Sequence, residues 1–152
     1  MTWGAPAYGG DSSGVAAQLS SGVQSVTGNS AAFAAVKSDG SVVTWGNPDR
    51  GGDSSGVAAQ LSSGVQSVVG IGYAFAAVKS DGSVVTWGAA DWGGDSSGVA
   101  AQLSSGVQSV VGNVYAFAAV KSDGSVVTWG NPDRGGDSSG VVAQGFRNIF
   151  RY

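Results

Sequence analysis

An all-β array of stacked sheets is what this sequence predicts, and three observations predict it. Thr-Trp-Gly recurs at 2–4, 44–46, 86–88 and 128–130, so one 42-residue unit is copied about 3.6 times. A fixed period in this range marks stacked supersecondary units that cannot bury their apolar faces alone. Within each unit, three short β-prone runs are separated by turn residues. The sheet that they form is apolar on both sides, which requires a neighbour in front and another behind. The units run over 2–43, 44–85 and 86–127, with a partial unit at 128–152, in one repeat domain spanning 1–152.

The unit beginning at Val65 shows each element in turn. Val65-Gln66-Ser67-Val68-Val69 is a first strand, closed by Gly70, and Tyr73-Ala74-Phe75-Ala76-Ala77-Val78-Lys79 is a second with aromatics at its start. Ser80-Asp81-Gly82-Ser83 then turns the chain, because Asp-Gly between apolar runs is a strong hairpin signal. Val84-Val85-Thr86-Trp87-Gly88 returns as the third strand. A two-residue turn at Asp81-Gly82 sets Ser80 opposite Ser83, Val78 opposite Val85 and Ala76 opposite Trp87. That register places Phe75, Ala77, Val84 and Thr86 on the other side, and small Ala76 leaves room for the indole. Burying one such Trp contributes on the order of 3 kcal/mol, and the residue recurs at Trp3, Trp45, Trp87 and Trp129.

The loop Gly93-Gly94-Asp95-Ser96-Ser97-Gly98 leads to Val99-Ala100-Ala101-Gln102-Leu103. This run reads as an outer fourth strand with Val99, Ala101 and Leu103 on one side. It also reads as a single helical turn, capped by Asp95 or Ser96, with Val99 and Leu103 at i and i+4. The strand is preferred, because Gly98 inside the first turn weakens a helix.

Gly (27) and Ser (24) make up a third of the chain, but the strict period and 42% hydrophobic content assign them to turns rather than disorder. The chain has no Cys, no His and no Glu. Disulfides, thiolate chemistry, His-assisted nucleophiles and Cys or His zinc sites are thereby excluded. A net charge of −3 argues against binding the phosphate backbone of nucleic acid. No apolar run approaches the roughly 18 residues of a membrane-spanning helix. The compartment stays open.

In order, the motif positions are Val65, Val68, Gly70, Ala77, Val78, Asp81, Gly82, Val84, Trp87 and Gly88. Their spacing resembles the regulator-of-chromosome-condensation repeat, and the match extends over essentially every unit. The resemblance implies a β-propeller, commonly of seven four-stranded blades. Two departures accompany it. The family's repeat is usually longer, with a Gly-Gln-Leu-Gly-like segment where Gly-Gly-Asp-Ser-Ser stands here. The founding member is a nucleotide exchange factor for a small GTPase and binds chromatin, yet neither its protruding β-wedge nor a basic tail can be located here. The resemblance therefore carries fold further than activity.

About three and a half blades make half of a propeller or part of a multi-chain ring. Open sheet faces at the two ends predict a head-to-tail homo-oligomer, most simply a dimer. A fragment of a longer array and an open spiral are the alternatives.

The candidate binding positions follow Trp-Gly, where near-identical copies differ most. The second and third copies differ only at 47/89, 48/90, 50/92, 71/113 and 72/114. Tyr8, Asp49, Arg50, Asp91, Trp92, Asp133 and Arg134 lie on these loops, and Tyr8, Arg50, Trp92 and Arg134 are expected to project from one rim. Neutral drift at loop tips is the plain alternative. Asp11, Asp53, Asp95 and Asp137 read as turn-capping residues rather than calcium ligands, since each loop offers one carboxylate. Asp39, Asp81 and Asp123 belong to hairpin turns, and the Ser-Ser pairs have no neighbouring base to activate them. No catalytic residue, metal or cofactor is expected. The expectation is a non-enzymatic interaction scaffold that binds protein. A carbohydrate-binding propeller, a structural or engineered self-assembling repeat, and a nucleotide exchange factor are the rivals.

Overall fold

The computed structural model describes residues 1–138, and each complete repeat in it forms one antiparallel three-stranded sheet. The first holds β1 (Val23–Gly28), β2 (Ala32–Lys37) and β3 (Val42–Gly46). The second holds β4 (Val65–Ile71), β5 (Ala74–Lys79) and β6 (Val84–Gly88), and the third β7 (Val107–Gly112), β8 (Ala116–Lys121) and β9 (Val126–Gly130). The fold is all-β and built of repeat blades, as the period requires. Ile149 and Tyr152 stand in register with Val107 and Val110, so the sequence allows a further first strand there, but residues 139–152 lie outside the described residues.

The hairpin register is one residue away from the expected one. Phe75 pairs with Trp87, Ala76 with Thr86, Ala77 with Val85 and Val78 with Val84. The connection has three residues rather than two: the Lys79 N–H donates to the Ser83 carbonyl at 2.9 Å, and Gly82 sits at φ +81°. A turn completed by a left-handed glycine is the usual geometry for that loop length. The Asp81 carboxylate secures it, accepting from the Ser83 N–H at 2.9 Å and the Ser83 hydroxyl at 2.6 Å. One additional loop residue transfers every β6 side chain to the opposite face. Trp87 therefore lies beside Phe75, not Ala76, with ring centroids 5.4 Å apart.

Both faces are nonetheless apolar and both are covered. Ala32, Ala34, Val36 and Val42 of the first sheet pack against Phe75, Ala77, Val85 and Trp87 of the second. The other face of the second sheet (Ala74, Ala76, Val78 and Val84) packs against Phe117, Ala119, Val127 and Trp129 of the third. Ala76 and Ala77 point to opposite sides, and both have no exposed surface. Trp45, Trp87 and Trp129 are buried. Trp3 departs from the expectation of four buried copies: it is 84% exposed, because no first and second strands accompany it among the described residues.

A β-bulge explains the Val-x-x-Val spacing. Residues three apart in a regular strand face opposite sides. In β4 the ladder shifts between Val65 and Ser67, so Val65 pairs with Lys79 and Val68 with Ala77. The additional residue returns both valines to one face, and both are buried.

The preferred fourth strand does not form; the helical turn does. Ser55–Val57 is a short 3-10 helix, and the Leu61 N–H continues it by donating to the Val57 carbonyl at 3.1 Å. The unfavourable Gly56 is outweighed because Val57 and Leu61, at i and i+4, pack together against the core between the first two sheets. The turn lies along the outer edge of β3. There the Val42 N–H donates to the Leu61 carbonyl at 2.9 Å, and the Thr44 hydroxyl reaches the Gly52 carbonyl at 3.1 Å and the Ser54 hydroxyl at 2.8 Å.

Candidate functional site

Antiparallel pairing brings two sets of connections to one end of the blades. Ala74 at the start of β5 lies opposite Gly88 at the end of β6. The turn between first and second strands and the loop after Trp-Gly therefore share a rim in every repeat.

Three of the four post-Trp-Gly loops, those ending at Gly9, Gly51 and Gly93, are clamped to the next sheet. Pro48–Arg50 forms a short 3-10 helix, with the Asn47 side chain accepting from the Asp49 N–H, and Gly51 ends it at φ +104°. A Cβ on Gly51 would stand 2.5 Å from the Phe75 ring. The Trp87 indole N–H donates to the Gly51 carbonyl at 3.1 Å. Trp45 with Gly9 and Trp129 with Gly93 repeat this bond. The third copy replaces Asn-Pro by Ala89-Ala90 and still forms the turn, at Ala90–Trp92, without a side-chain cap. The glycine clamp, rather than Asn-Pro, is the feature common to the three loops.

Two clamped loops and the last loop, which carries Arg134, together assemble a continuous ladder with the tyrosines between the strands. The Arg50 guanidinium carbon lies 3.9 Å above the centre of the Tyr73 ring. Tyr73 meets Trp92 at 4.5 Å, Trp92 meets Tyr115 at 4.5 Å, and Arg134 lies 4.4 Å above Tyr115. The order along the rim is Arg50, Tyr73, Trp92, Tyr115, Arg134. Cation–π attraction holds its ends, and tilted aromatic contacts hold its centre.

The structure thus brings Arg50, Trp92 and Arg134 into one arrangement. Tyr8 is not part of it: the first repeat carries Ala31 where the others carry Tyr73 and Tyr115, and Tyr8 is 56% exposed with no ring contact. Asp49, Asp91 and Asp133 are exposed on the same loops, beside the ladder rather than within it. Sequence reasoning missed Tyr73 and Tyr115, which read as strand aromatics. The available signal was that Ala31, Tyr73 and Tyr115 vary between copies, whereas Phe33, Phe75 and Phe117 do not.

Asparagines anchor the Arg-bearing loops. Asn29 accepts the Ala31 and Ala32 N–H groups at 2.8 Å and donates to the Arg50 carbonyl at 2.7 Å. Asn113 donates to the Arg134 carbonyl at 2.9 Å. The second sheet has Ile71 in place of this Asn, buried in the core beside Phe117, and the loop that follows that sheet bears Trp92 instead of Arg. All five differences between the second and third copies therefore fall on this rim. The exposed Ala58-Ala59-Gln60 and Ser62-Ser63 are identical to their counterparts at 100–102 and 104–105.

The opposite rim carries the hairpins. Asp39, Asp81 and Asp123 are held below the ordinary carboxylate range, first by the neighbouring serine hydroxyl and then by the backbone N–H of that serine. Asp11, Asp53 and Asp95 cap Ser13, Ser55 and Ser97, each accepting a backbone N–H at 2.9 Å. No group of three or more metal-ligating side chains occurs among the described residues.

Stacked sheets, the middle one covered on both faces, with a helical turn on the outer edge define a β-propeller-type repeat protein. No family model and no curated protein sequence matches the chain. Among solved structures, its fold is similar to human WBSCR16, with a TM-score of 0.53 and 19% identity over 76% of this chain and 36% of that one. It is also similar to Prp20p of Saccharomyces cerevisiae, the yeast RCC1, with a TM-score of 0.50 and 14% identity over 71% of this chain and 30% of that one. The chain spans about a third of the length of each. The unit is an RCC1-like β-propeller repeat in fold.

Proposed function

We propose that the chain is a non-enzymatic interaction scaffold that binds protein through the rim bearing Arg50, Tyr73, Trp92, Tyr115 and Arg134. One observation carries this reading: the near-identical second and third copies differ only on that rim, where the loops supply aromatic and arginine side chains of the kind that dominate recognition surfaces. Prp20p, a protein of similar fold, is described by its binding to Gsp1p and histones. The ladder disfavours a lectin, because a sugar stacks on an open aromatic ring and Trp92 is already in contact with two rings, Tyr73 and Tyr115.

The test is selection of binders from a displayed protein library, followed by rescreening on an R50A/W92A/R134A variant. Ligands that lose the variant support the reading. Ligands that bind it equally remove it.

A second reading, self-association, rests on the sheet faces. Among the described residues, the Phe33–Trp45 face of the first sheet is open, forming a cavity of about 570 Å³ with Trp3, Leu19, Val23 and Val26 on its walls. The third sheet leaves Ala118, Val120 and Val126 only half-buried. These are the two kinds of face that pack together twice inside the chain, so copies joined head to tail would match them. Light scattering of the purified chain at micromolar concentration tests this reading, and a folded monomer ends it.

A further inference from the structure

We infer that the rim ladder recognises a peptide segment bearing two carboxylates. This rests on the protein-binding reading above and adds the chemistry of the partner. Each guanidinium carbon lies over a tyrosine ring, at 3.9 Å for Arg50 and 4.4 Å for Arg134, close enough for the fork to stack on the ring. Stacking occupies the face of the fork and leaves its N–H edges free, the orientation in which Arg takes a carboxylate through two parallel bonds. Among the described residues, neither guanidinium donates a hydrogen bond, and the Tyr73 and Tyr115 hydroxyls and the Trp92 indole N–H are equally uncommitted. Trp45, Trp87 and Trp129 differ: each of their indole N–H groups is bonded to a glycine carbonyl. The rim is thus a row of five donors, cationic at both ends.

A row of donors calls for a row of acceptors. An extended peptide supplies backbone carbonyls along its length, and two acidic side chains four residues apart are about 13 Å from each other. That separation falls within the reach of a ladder whose four contacts, each 3.9 to 4.5 Å, set an upper limit of about 17 Å between its ends. A dense polyanion fits less well. Asp49, Asp91 and Asp133 are exposed on the same three loops, and the chain carries −3 overall, so continuous negative charge meets repulsion that two separate carboxylates avoid.

The experiment is fluorescence anisotropy with a fluorescein-labelled Ser/Gly peptide containing two Glu four residues apart, and its Glu→Gln counterpart as control. We expect the Glu peptide to bind and the Gln peptide to bind at least about tenfold more weakly. R50Q/R134Q should impose a similar loss. Y73F/Y115F keeps both rings under the guanidiniums and should cost only a few-fold. Equal binding of the two peptides, no binding of either at about 1 mM, or indifference to R50Q/R134Q overturns the inference. Heparin binding more tightly than the Glu peptide, with loss in R50Q/R134Q, also overturns it and assigns the rim to polyanions. Neutral ligands from the display selection that still require the rim retain the protein-binding reading and reject this one. Ligands indifferent to the rim reject both.

Discussion

The indole N–H of Trp87 donates to the carbonyl of Gly51, 36 residues earlier and in the loop of the preceding blade, at 3.1 Å. The bond fastens one repeat to the next at the point where the rim loops emerge, and it recurs at Trp45 and Trp129. Blade stacking and loop geometry are therefore one structural problem, solved by a single side chain.

Trp87→Phe retains a ring against Phe75 but leaves the buried Gly51 carbonyl without its donor. A loss of about 2 kcal/mol is expected from the unsatisfied group and reduced burial. Urea unfolding midpoints measure it. Trp3→Phe is the control: Trp3 is 84% exposed and its replacement should cost less than about 0.5 kcal/mol.

Two glycines should respond oppositely to alanine. Gly82 has φ +81°, and a Cβ there would stand 2.7 Å from the backbone nitrogen of Gly106 in the next repeat. Gly82→Ala should destabilise by more than about 1 kcal/mol. Gly56 lies in the helical turn, and a methyl group added there would have nothing within 4 Å, so Gly56→Ala should be neutral or stabilising by up to about 1 kcal/mol. Thermal melts of both variants, read against the parent, decide the matter.

Acid should weaken the fold through the hairpin aspartates. Serine hydrogen bonds lower the folded-state values of Asp39, Asp81 and Asp123 below the ordinary 3.8. Their contribution is fully present above about pH 4 and disappears as pH falls through the lowered folded values. Asn at the three positions keeps an oxygen acceptor and removes the titration. The triple variant should show a flatter melting temperature between pH 2 and 5 than the parent; parallel curves would refute the assignment.

Calcium should leave the melting temperature unchanged. Each Gly-Gly-Asp-Ser-Ser loop offers one carboxylate, and in Asp11, Asp53 and Asp95 one oxygen already accepts a serine N–H. Calorimetry with calcium and then with chelator checks this, and a shift of several degrees would restore the metal reading.

Blade stacking is legible in the sequence because Phe75, Ala76, Ala77 and Val78 are apolar at consecutive positions, and consecutive residues of a strand face opposite sides. The exact pairing is not, because Asp-Gly serves both two- and three-residue hairpins. The choice lies in the Asp81 bonds to Ser83, which the pattern does not display. The bulge is written in the spacing of Val65 and Val68, since residues three apart share a face only where the strand holds one residue too many. One glycine argues against the helical turn, although the packing of Val57 and Leu61 outweighs it. At the rim, Arg50, Trp92 and Arg134 declare themselves by varying. Tyr73 and Tyr115 require knowledge of which loops meet across a blade boundary, which no single repeat contains.

The helical turn on the outer edge of each sheet has an evolutionary corollary. With the Val42 N–H and the Thr44 hydroxyl already engaged there, that edge of the blade is partly covered against sideways recruitment of a further strand, a standing hazard when copies are nearly identical. Every internal joint is made from the same parts, so insertion or deletion of a whole 42-residue module recreates the joint it interrupts, and only the rim lettering changes.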